Sequence, residues 1–560
     1  MMARRSLAIH TPVRVTWSRL SLFWSVCFVL NLTAMPLKAY FSETFPWHVP
    51  PLAPDFSLTP NDVATLESLQ SLAQSQPHDT GFARDASAYV LWYPIELPAQ
   101  SIPDDVGCMH WMLAFPAAAL YGPGLRQFVC AYLARNASMR AAMPSTTNNS
   151  TFFRCQVGLV VGVPSMKFCL WLAPVPVNAA GITTRVIVAF GGTTYEPPAF
   201  AYLKFAARLY LCGFIARSVW ATYFVHYNTL RSNLQATSPP LSTYARFDIH
   251  VGDPTYLVLS HPWVTLFLLV EIYSDVAYQG LSSVRCSQLQ DLWQFALGCL
   301  YGSRGVWFGY WAMRYSTFLV KRWHWEDAFA AVDPGLLATA SAFYAGPIFY
   351  AMSNIGPFVH LLQTLFSSNQ NDTALEIFPV WLCLFITIGS MPLVYSVGRK
   401  WLLRRRPRVR PAGSDTYGHA SFNDLKMRVL HGCLVRSYAR STEHNTVPVE
   451  GGTLYRLYDI HPGYKKLPLI SHRGADCFVD CYLPDGTLGK KMRLSLLGCL
   501  DRQDRDPKWA LDLCESCQRS ATAAHVGSIS SITHGDQLRD PEKTEAFKVH
   551  MGANGCSWVL

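Results

Sequence analysis

The sequence predicts an α-helical multi-pass membrane bundle of about six spans, with a β-rich, disulfide-bonded outer domain and a small α+β cytoplasmic tail. Hydrophobic residues make up 50% of the 560 positions and charged residues only 15%, whereas soluble domains average about 25% charged residues. An apolar run followed by a cationic block also predicts the orientation of the chain in the membrane. The resulting division is a signal anchor or signal peptide (1–39), an extracytoplasmic domain (40–203), a transmembrane bundle (204–398) and a cytoplasmic tail (399–560).

The cationic block RKWLLRRRPRVR, at 399–410, directly follows the apolar run 377–397. Cationic residues beside a span stay on the cytoplasmic side, because they resist translocation and favour anionic lipid. The block therefore predicts a cytoplasmic carboxyl terminus, and an even number of spans places the amino terminus there as well. Flanking cations also explain the net charge of +10, so we expect no nucleic acid partner.

The amino-terminal segment carries Arg4, Arg5, Arg14 and Arg19 before the apolar run 20–32. This pattern is typical of a start-transfer signal, and the long cationic stretch favours a retained anchor. Cleavage is the alternative, because the tripeptide 37–39 resembles a small-residue cleavage site. Removal of this segment would change the side of no other loop.

The remaining spans are expected between residue 204 and the cationic block. A helix needs about 20 apolar residues to cross about 30 Å of hydrocarbon, and each candidate is near that length. The first candidate is interrupted by Arg208 and Arg217. The candidates are 204–227, 263–278, 293–320, 336–352 and 377–397.

Four glycosylation acceptor triplets lie in loops that this arrangement places outside. The acceptors are Asn136, Asn148, Asn149 and Asn371. The loop 353–376, which holds Asn371, contains no Lys or Arg. One triplet alone is weak evidence, but the absence of triplets from the expected inner loops and the tail supports the predicted sides.

The outer domain is predicted to be mostly β structure. Short runs rich in Val, Ile, Phe and Thr are separated by Gly and Pro, which is typical of strands and turns. Its cysteines are Cys108, Cys130, Cys155 and Cys169. In an oxidising compartment they predict two disulfides, with three possible connectivities. Buried free thiols are the alternative, and the long spacings disfavour a zinc site.

Charged residues also lie within two further predicted spans, 263–278 and 293–320. Glu271 and Asp275 are four residues apart and share one helix face, and Arg304 lies at a similar depth in the next span. A lone charge at mid-bilayer costs at least ~2.5–3.5 kcal/mol on insertion scales, so such groups usually find partners. We expect a Glu271–Arg304 contact, with Asp275 nearer the outer mouth.

Two interpretations of these intramembrane polar residues are open. They form a structural ion pair that fixes the register of the helices, or they line a polar pathway for an ion or solute. If the contact is direct, reversing both charges should restore the folding or trafficking that either single reversal destroys.

The tail is expected to contain an amphipathic helix at 422–437 and a β-rich unit at 453–500, with a hairpin at Pro484-Asp485-Gly486. Four cysteines in the tail have a spacing close to that of a zinc ribbon, but the first pair is one residue too far apart. We therefore expect reduced cysteines without a metal role. These cysteines are Cys477, Cys481, Cys514 and Cys517.

No catalytic constellation is evident in the sequence. Gly302-Ser303-Arg304-Gly305 is similar to the serine motif of rhomboid-type intramembrane proteases, but the last span lacks the His that would accept the serine proton. Phosphate-cradling, zinc-protease and dinucleotide motifs are absent from the sequence. We expect neither an enzyme nor a cofactor.

Three stretches resemble a large family of multi-pass transmembrane proteins of oomycetes (water moulds). They are VGDPTYLVLSHP at 251–262, QDLWQFALGCLYGSRGVWF at 290–308 and FNDLK at 422–426. The similarity covers roughly residues 200–500. It implies a large outer domain, a membrane bundle and a cytoplasmic tail, and it implies no activity, substrate or catalytic residue.

This layout fits a cell-surface receptor or sensor best, because soluble parts are expected on both sides of the bilayer. A channel or transporter that uses the intramembrane charges is the alternative, and a structural or adhesion role is the second alternative. The expected partners are the lipid bilayer, an extracellular ligand or solute and a cytoplasmic partner of the tail. The secretory pathway and the plasma membrane are the expected location.

Overall fold

Two large β-sheets lie at opposite ends of a layer of helices in the computed structural model of this chain. A third, small sheet accompanies one of them. The structure describes residues 13–49, 62–76, 81–85, 87–141, 152–174, 185–236, 243–368, 373–405, 449–501, 512–514, 526–532 and 546–560.

The strands are numbered along the chain. They are β1 (Arg14–Trp17), β2 (Phe82–Arg84), β3 (Ala88–Glu96), β4 (Phe152–Val160), β5 (Val163–Pro174), β6 (Arg185–Thr194), β7 (Arg246–His250), β8 (Ser367–Ser368), β9 (Ala374–Glu376), β10 (Val449–Gly451), β11 (Cys477–Tyr482), β12 (Leu488–Leu496), β13 (Asp512–Cys514), β14 (Ser528–Ile532), β15 (Ala546–His550) and β16 (Trp558–Val559).

The helices are numbered in the same way. They are α1 (Arg19–Thr33), α2 (Val63–Gln74), α3 (Asp105–Met112), α4 (Pro123–Leu133), α5 (Ala137–Ala141), α6 (Pro198–Val219), α7 (Val225–Gln235), α8 (Thr255–Leu259), α9 (Pro262–Ser274), α10 (Val276–Cys286), α11 (Leu292–Gly302), α12 (Val306–Arg322), α13 (Pro334–Asn354), α14 (Gly356–Leu365), α15 (Phe378–Arg405) and α16 (Thr453–Ile460).

The seven-stranded sheet, hereafter the large sheet, has the strand order β2-β3-β6-β5-β4-β9-β8. Side chains alternate between its two faces, as strand geometry requires. Val90 packs with Leu69 of α2 on one face, whereas Tyr89 and Leu91 belong to the larger core on the other face. Most of the sheet comes from the predicted outer domain, but β8 and β9 come from the distant loop 353–376.

The six-stranded sheet, hereafter the mixed sheet, has the order β1-β7-β11-β12-β10, with β16 also paired to β12. It unites the amino-terminal β1, β7 and four strands of the tail, so it crosses the domain boundaries expected from the sequence. The predicted hairpin is confirmed: β11 and β12 are antiparallel, and Gly486 takes a positive φ of 82° in their turn. The small sheet has the order β13-β15-β14. The predicted helix at 422–437 lies outside the described residues.

The expectation of an α-helical bundle of about six spans is wrong, because the described chain is a mixed α/β structure with several multi-stranded sheets. Among the described residues, only 3 helices are long and apolar enough to cross a membrane: Pro198–Gln235, Pro334–Asn354 and Phe378–Leu402. The count rises to 5 if each of two bent helix pairs is one span. These pairs are Arg19–Thr33 with Met35–His48, bent by 67°, and Pro262–Ser274 with Val276–Cys286, bent by 73°.

The segment expected to span at 293–320 is also broken. A 3-10 turn at Ser303–Gly305 separates α11 from α12, and Arg304 and Arg314 interrupt its apolar character. Hydropathy averaged along the sequence does not detect such breaks, because a break depends on backbone geometry that tertiary contacts impose.

The segments that connect the helices contact one sheet or the other. The turn after α10 contacts the large sheet, where Arg84 forms an ion pair of 3.1 Å with Asp291. At the opposite end, the backbone N–H of Val332 donates to Leu469 beside the mixed sheet at 2.8 Å. The helices therefore form a layer with one sheet at each end.

Candidate functional site

Seven charged residues form one cluster inside the helical layer, hereafter the charge network. Helices α6, α9, α10 and α11 converge on it, together with the segment after the 3-10 turn Met35–Phe41. Its side chains are between 0% and 14% exposed. The members are Glu43, Glu196, Lys204, Arg208, Glu271, Asp275 and Arg304.

Arg208 is the centre of the charge network. Its guanidinium donates from Nη1 to Glu43 at 2.6 Å, from Nη2 to Asp275 at 2.7 Å and from Nε to Glu271 at 2.6 Å. The guanidinium also lies 4.5 Å from the centroid of the Tyr40 ring. A planar group with donors on several edges can serve three carboxylates at once, which an ammonium on a flexible stem does less well.

The expected Glu271–Arg304 contact is present, with Arg304 Nη2 at 2.9 Å from Glu271 Oε1. Arg304 is not exclusive to Glu271, because it also lies 2.9 Å from Asp275 and 3.3 Å from Glu43. The α9–α10 break explains the geometry: Asp275 is the residue between the two helices. The chain direction changes there, so its carboxylate reaches cations from two other helices.

Lys204 links the charge network to a cleft. It is one turn before Arg208 on α6, and its Nζ lies 2.9 Å from Asp275, 2.7 Å from Glu196 and 3.7 Å from Glu43. Four members of the charge network were not predicted as site residues from the sequence: Glu43, Glu196, Lys204 and Arg208. The signal for Lys204 was its spacing of four residues from Arg208, which puts two cations on one face of an apolar helix.

The cleft has a volume of about 360 Å³ and ends on Glu196 and Lys204. One wall is the tip of the β4–β5 hairpin, and the other walls are the start of α6 and the α9–α10 break. Val161 at the hairpin tip takes a positive φ of 51°, and its N–H donates to the Glu376 carboxylate at 2.9 Å. The hydrogen bond holds a backbone conformation that costs a β-branched residue free energy.

The charge network holds four carboxylates and three cations, so one negative charge is in excess. Glu43 and Asp275 each contact three cations, and Glu271 contacts two. Glu196 contacts only Lys204 among the described residues. Burial raises the pKa of Glu196 in spite of the opposing effect of Lys204. Glu196, beside the cleft, is therefore the carboxylate with the fewest cationic contacts in the charge network.

The predicted disulfides are confirmed, and the pairs are Cys108–Cys130 and Cys155–Cys169. The first joins α3 to α4. The second joins directly opposed residues of β4 and β5. Both stabilise the region of the large sheet rather than the charge network.

Of the four glycosylation acceptors, the structure describes only Asn136. Its side chain is exposed, and its Oδ1 accepts from the N–H of Met139 at 2.8 Å at the start of α5. Asn148, Asn149 and Asn371 lie outside the described residues.

The described part of the chain forms no recognisable metal centre. No group of three or more His, Cys, Asp or Glu residues there is placed to hold a metal ion. Cys477 and Cys481 are buried in the mixed sheet, whereas Cys517 and the side chain of Cys514 are not described. The hydroxyl of Ser303 donates to the carbonyl of Leu300 at 2.7 Å.

Comparison with known proteins identifies no relative of this chain. No protein-family model, no curated protein and no solved structure matches the chain. The resemblance to oomycete membrane proteins therefore stays a prediction, and the candidate site must be interpreted from its own geometry.

Proposed function

We propose that this chain is an integral membrane receptor or sensor that binds a small ligand in the cleft and passes the change along α6 and α7. The three apolar helices support membrane association. Large apolar side chains that point away from the protein on several helices also support it, because soluble proteins rarely expose such patches. Examples are Phe23, Leu30, Leu203, Tyr210, Val270, Phe343 and Val394.

The proposed orientation puts the large sheet outside and the mixed sheet in the cytoplasm. Disulfides and the exposed Asn136 in the region of the large sheet support this side. The cationic block after α15 and the free cysteines of the mixed sheet support the other side. In this proposal the amino-terminal segment is a signal anchor, and the protein resides at the plasma membrane.

The observation that carries the proposal is the continuity of α6 and α7 from the cleft to the mixed sheet. A π-helical turn at Trp220–Phe224 joins them, so Pro198–Gln235 is one helix of 38 residues. From Lys204 to Tyr223 it covers about 28 Å at the usual rise per residue, which is close to the thickness of the hydrocarbon.

The far end of this helix is held by the mixed-sheet region. The Tyr223 hydroxyl donates to the carbonyl of Ala475 at 3.1 Å, and the indole N–H of Trp558 donates to the carbonyl of His226 at 3.0 Å. A displacement of Lys204 by a ligand would therefore move groups that touch the tail. This is a physical route between two sites, which signalling across a membrane requires.

The proposal is tested by filling the cleft without a ligand. Ala277→Trp adds bulk to the cleft wall, and Val106→Trp adds the same side chain at a residue that is 80% exposed on α3. We expect hydrogen–deuterium exchange of the β11 and β12 peptides to change in Ala277→Trp and not in Val106→Trp. Equal exchange in both folded variants would overturn the coupling.

A channel or transporter is the second candidate, favoured by the buried Glu196 carboxylate that lines the cleft. A transporter should take up radiolabelled methylammonium into sealed proteoliposomes and lose this uptake in Glu196→Gln. A receptor should show no uptake in either protein.

A further inference from the structure

The residues that line the cleft indicate which class of ligand it can bind. Four aromatic residues line the cleft together with Glu196: Tyr195, Phe200, Tyr273 and Tyr278. Aromatic faces beside a carboxylate form the usual environment for an organic cation, because the ring quadrupole presents negative charge at its face.

The protein already places one cation against two of these rings. Lys204 Nζ lies 5.7 Å from the centroid of Phe200 and 5.2 Å from the centroid of Tyr278. The ring faces are therefore directed towards a position where positive charge is stable.

An anionic ligand fits the cleft poorly. Lys204 is its cation, and the three N–H donors of this ammonium group have three carboxylates around them, on Glu43, Glu196 and Asp275. The charge of Lys204 is therefore already compensated, with carboxylate oxygens of Glu196 and Asp275 at 2.7 Å and 2.9 Å. An inorganic divalent ion also fits poorly, since such ions require several oxygen ligands and the described residues offer no group of three metal-binding side chains.

The excess negative charge completes the argument. Glu196 forms an ion pair with one cationic side chain, whereas each of the other three carboxylates of the charge network contacts two or three cationic side chains. A charge buried without sufficient compensation is unfavourable, and a cationic ligand removes that cost.

We propose that the cleft binds a small organic cation, a primary or quaternary ammonium group, between the Glu196 carboxylate and the surrounding rings. The inference rests on the proposed function, in which the cleft is the ligand site. The same chemistry occurs in free ammonium solutes and in the choline or ethanolamine headgroup of a lipid, and the cleft lies where α6 begins.

The test uses the purified full chain in maltoside detergent, which carries no ammonium group, and tetramethylammonium as the probe. Saturation-transfer NMR is expected to show saturable binding, and tert-butanol, a neutral probe of similar shape, is expected to bind at least about tenfold more weakly. Glu196→Gln and Phe200→Leu should each weaken tetramethylammonium binding, whereas Glu67→Gln, at an exposed carboxylate on α2, should leave it unchanged.

Equal binding of the two probes, or full binding by Glu196→Gln, would overturn the inference. Repeating the titration in phosphatidylcholine and phosphatidylglycerol nanodiscs identifies the source: competition only by phosphatidylcholine indicates a lipid headgroup, and competition by neither indicates a free solute. Failure here is distinct from failure of the proposed function, because the Ala277→Trp experiment needs no ligand.

Discussion

Arg208 shows how much one side chain can organise in this protein. It is 1% exposed and forms ion pairs with three carboxylates from three different segments. Two of those carboxylates are themselves fully or almost fully buried. Its removal would leave them without their principal partner in a place that water does not reach.

We expect Arg208→Met to destabilise the protein by about 3–5 kcal/mol, because removing one partner of a buried ionic cluster leaves uncompensated charge. Arg217→Met is the matched control, since Arg217 is exposed on the same helix, and its cost should stay within about 0.5 kcal/mol. Thermal unfolding in detergent measures both variants. Similar midpoints would show that the charge network contributes little to stability.

The double reversal Glu271→Arg with Arg304→Glu is now expected not to restore folding. The sequence suggested a Glu271–Arg304 contact, but Arg304 also contacts Asp275 and Glu43, and Glu271 also contacts Arg208. The swap would put two arginines together and bring a glutamate beside two carboxylates. The yield of monodisperse protein on size exclusion is the measurement, and full recovery would contradict the shared geometry.

At the scale of elements, α2 is tied to the large sheet through its cap. The Asp62 carboxylate accepts from the N–H of Thr65 at 3.1 Å and forms an ion pair with Lys167 on β5. Burial raises the pKa of Asp62, but the hydrogen bonds from Lys167 and Thr65 outweigh burial and hold the pKa below its usual value of 3.8.

This cap predicts acid sensitivity of the large-sheet region. Because the folded pKa is below the unfolded one, the stabilisation is present above about pH 4 and is lost as the pH falls through the folded pKa. Asp62→Asn should therefore be less stable than the unmodified protein at pH 6 and closer to it at pH 3. Thermal midpoints at both pH values test this, with Glu67→Gln as the control, and a constant difference would contradict it.

At the scale of the whole molecule, distant parts of the chain meet in each sheet. The pairing of β4 with β9 brings the loop 353–376 to the large sheet, and the pairing of β1 with β7 brings the amino terminus to the mixed sheet. Segments expected on the same side of a bilayer are thus found in the same sheet. This arrangement supports the proposed sides, since backbone pairing requires both strands in one compartment.

We expect Asn136→Gln to increase electrophoretic mobility and to reduce the further shift that deglycosylation produces, if the large sheet faces the secretory lumen. An antibody against the carboxyl terminus should stain only permeabilised cells. Staining of intact cells, or unchanged mobility in Asn136→Gln, would contradict the orientation.

The sequence by itself determined what depends on composition and short spacing. It identified the four cysteines that form disulfides, the turn at Gly486 and the Glu271–Arg304 contact. Residue types and short spacings are sufficient for these predictions, because a buried charge needs a partner and a positive φ favours glycine.

Only the tertiary structure decided where helices break and which charges meet. Glu43, Arg208 and Asp275 are separated by long stretches of chain and converge because α6 and the turn before Glu43 pack against the broken helices. Hydropathy predicted continuous spans where Asp275 and the turn at Ser303–Gly305 interrupt the helices. Such breaks depend on many tertiary packing contacts acting together, so no local pattern along the chain predicts them.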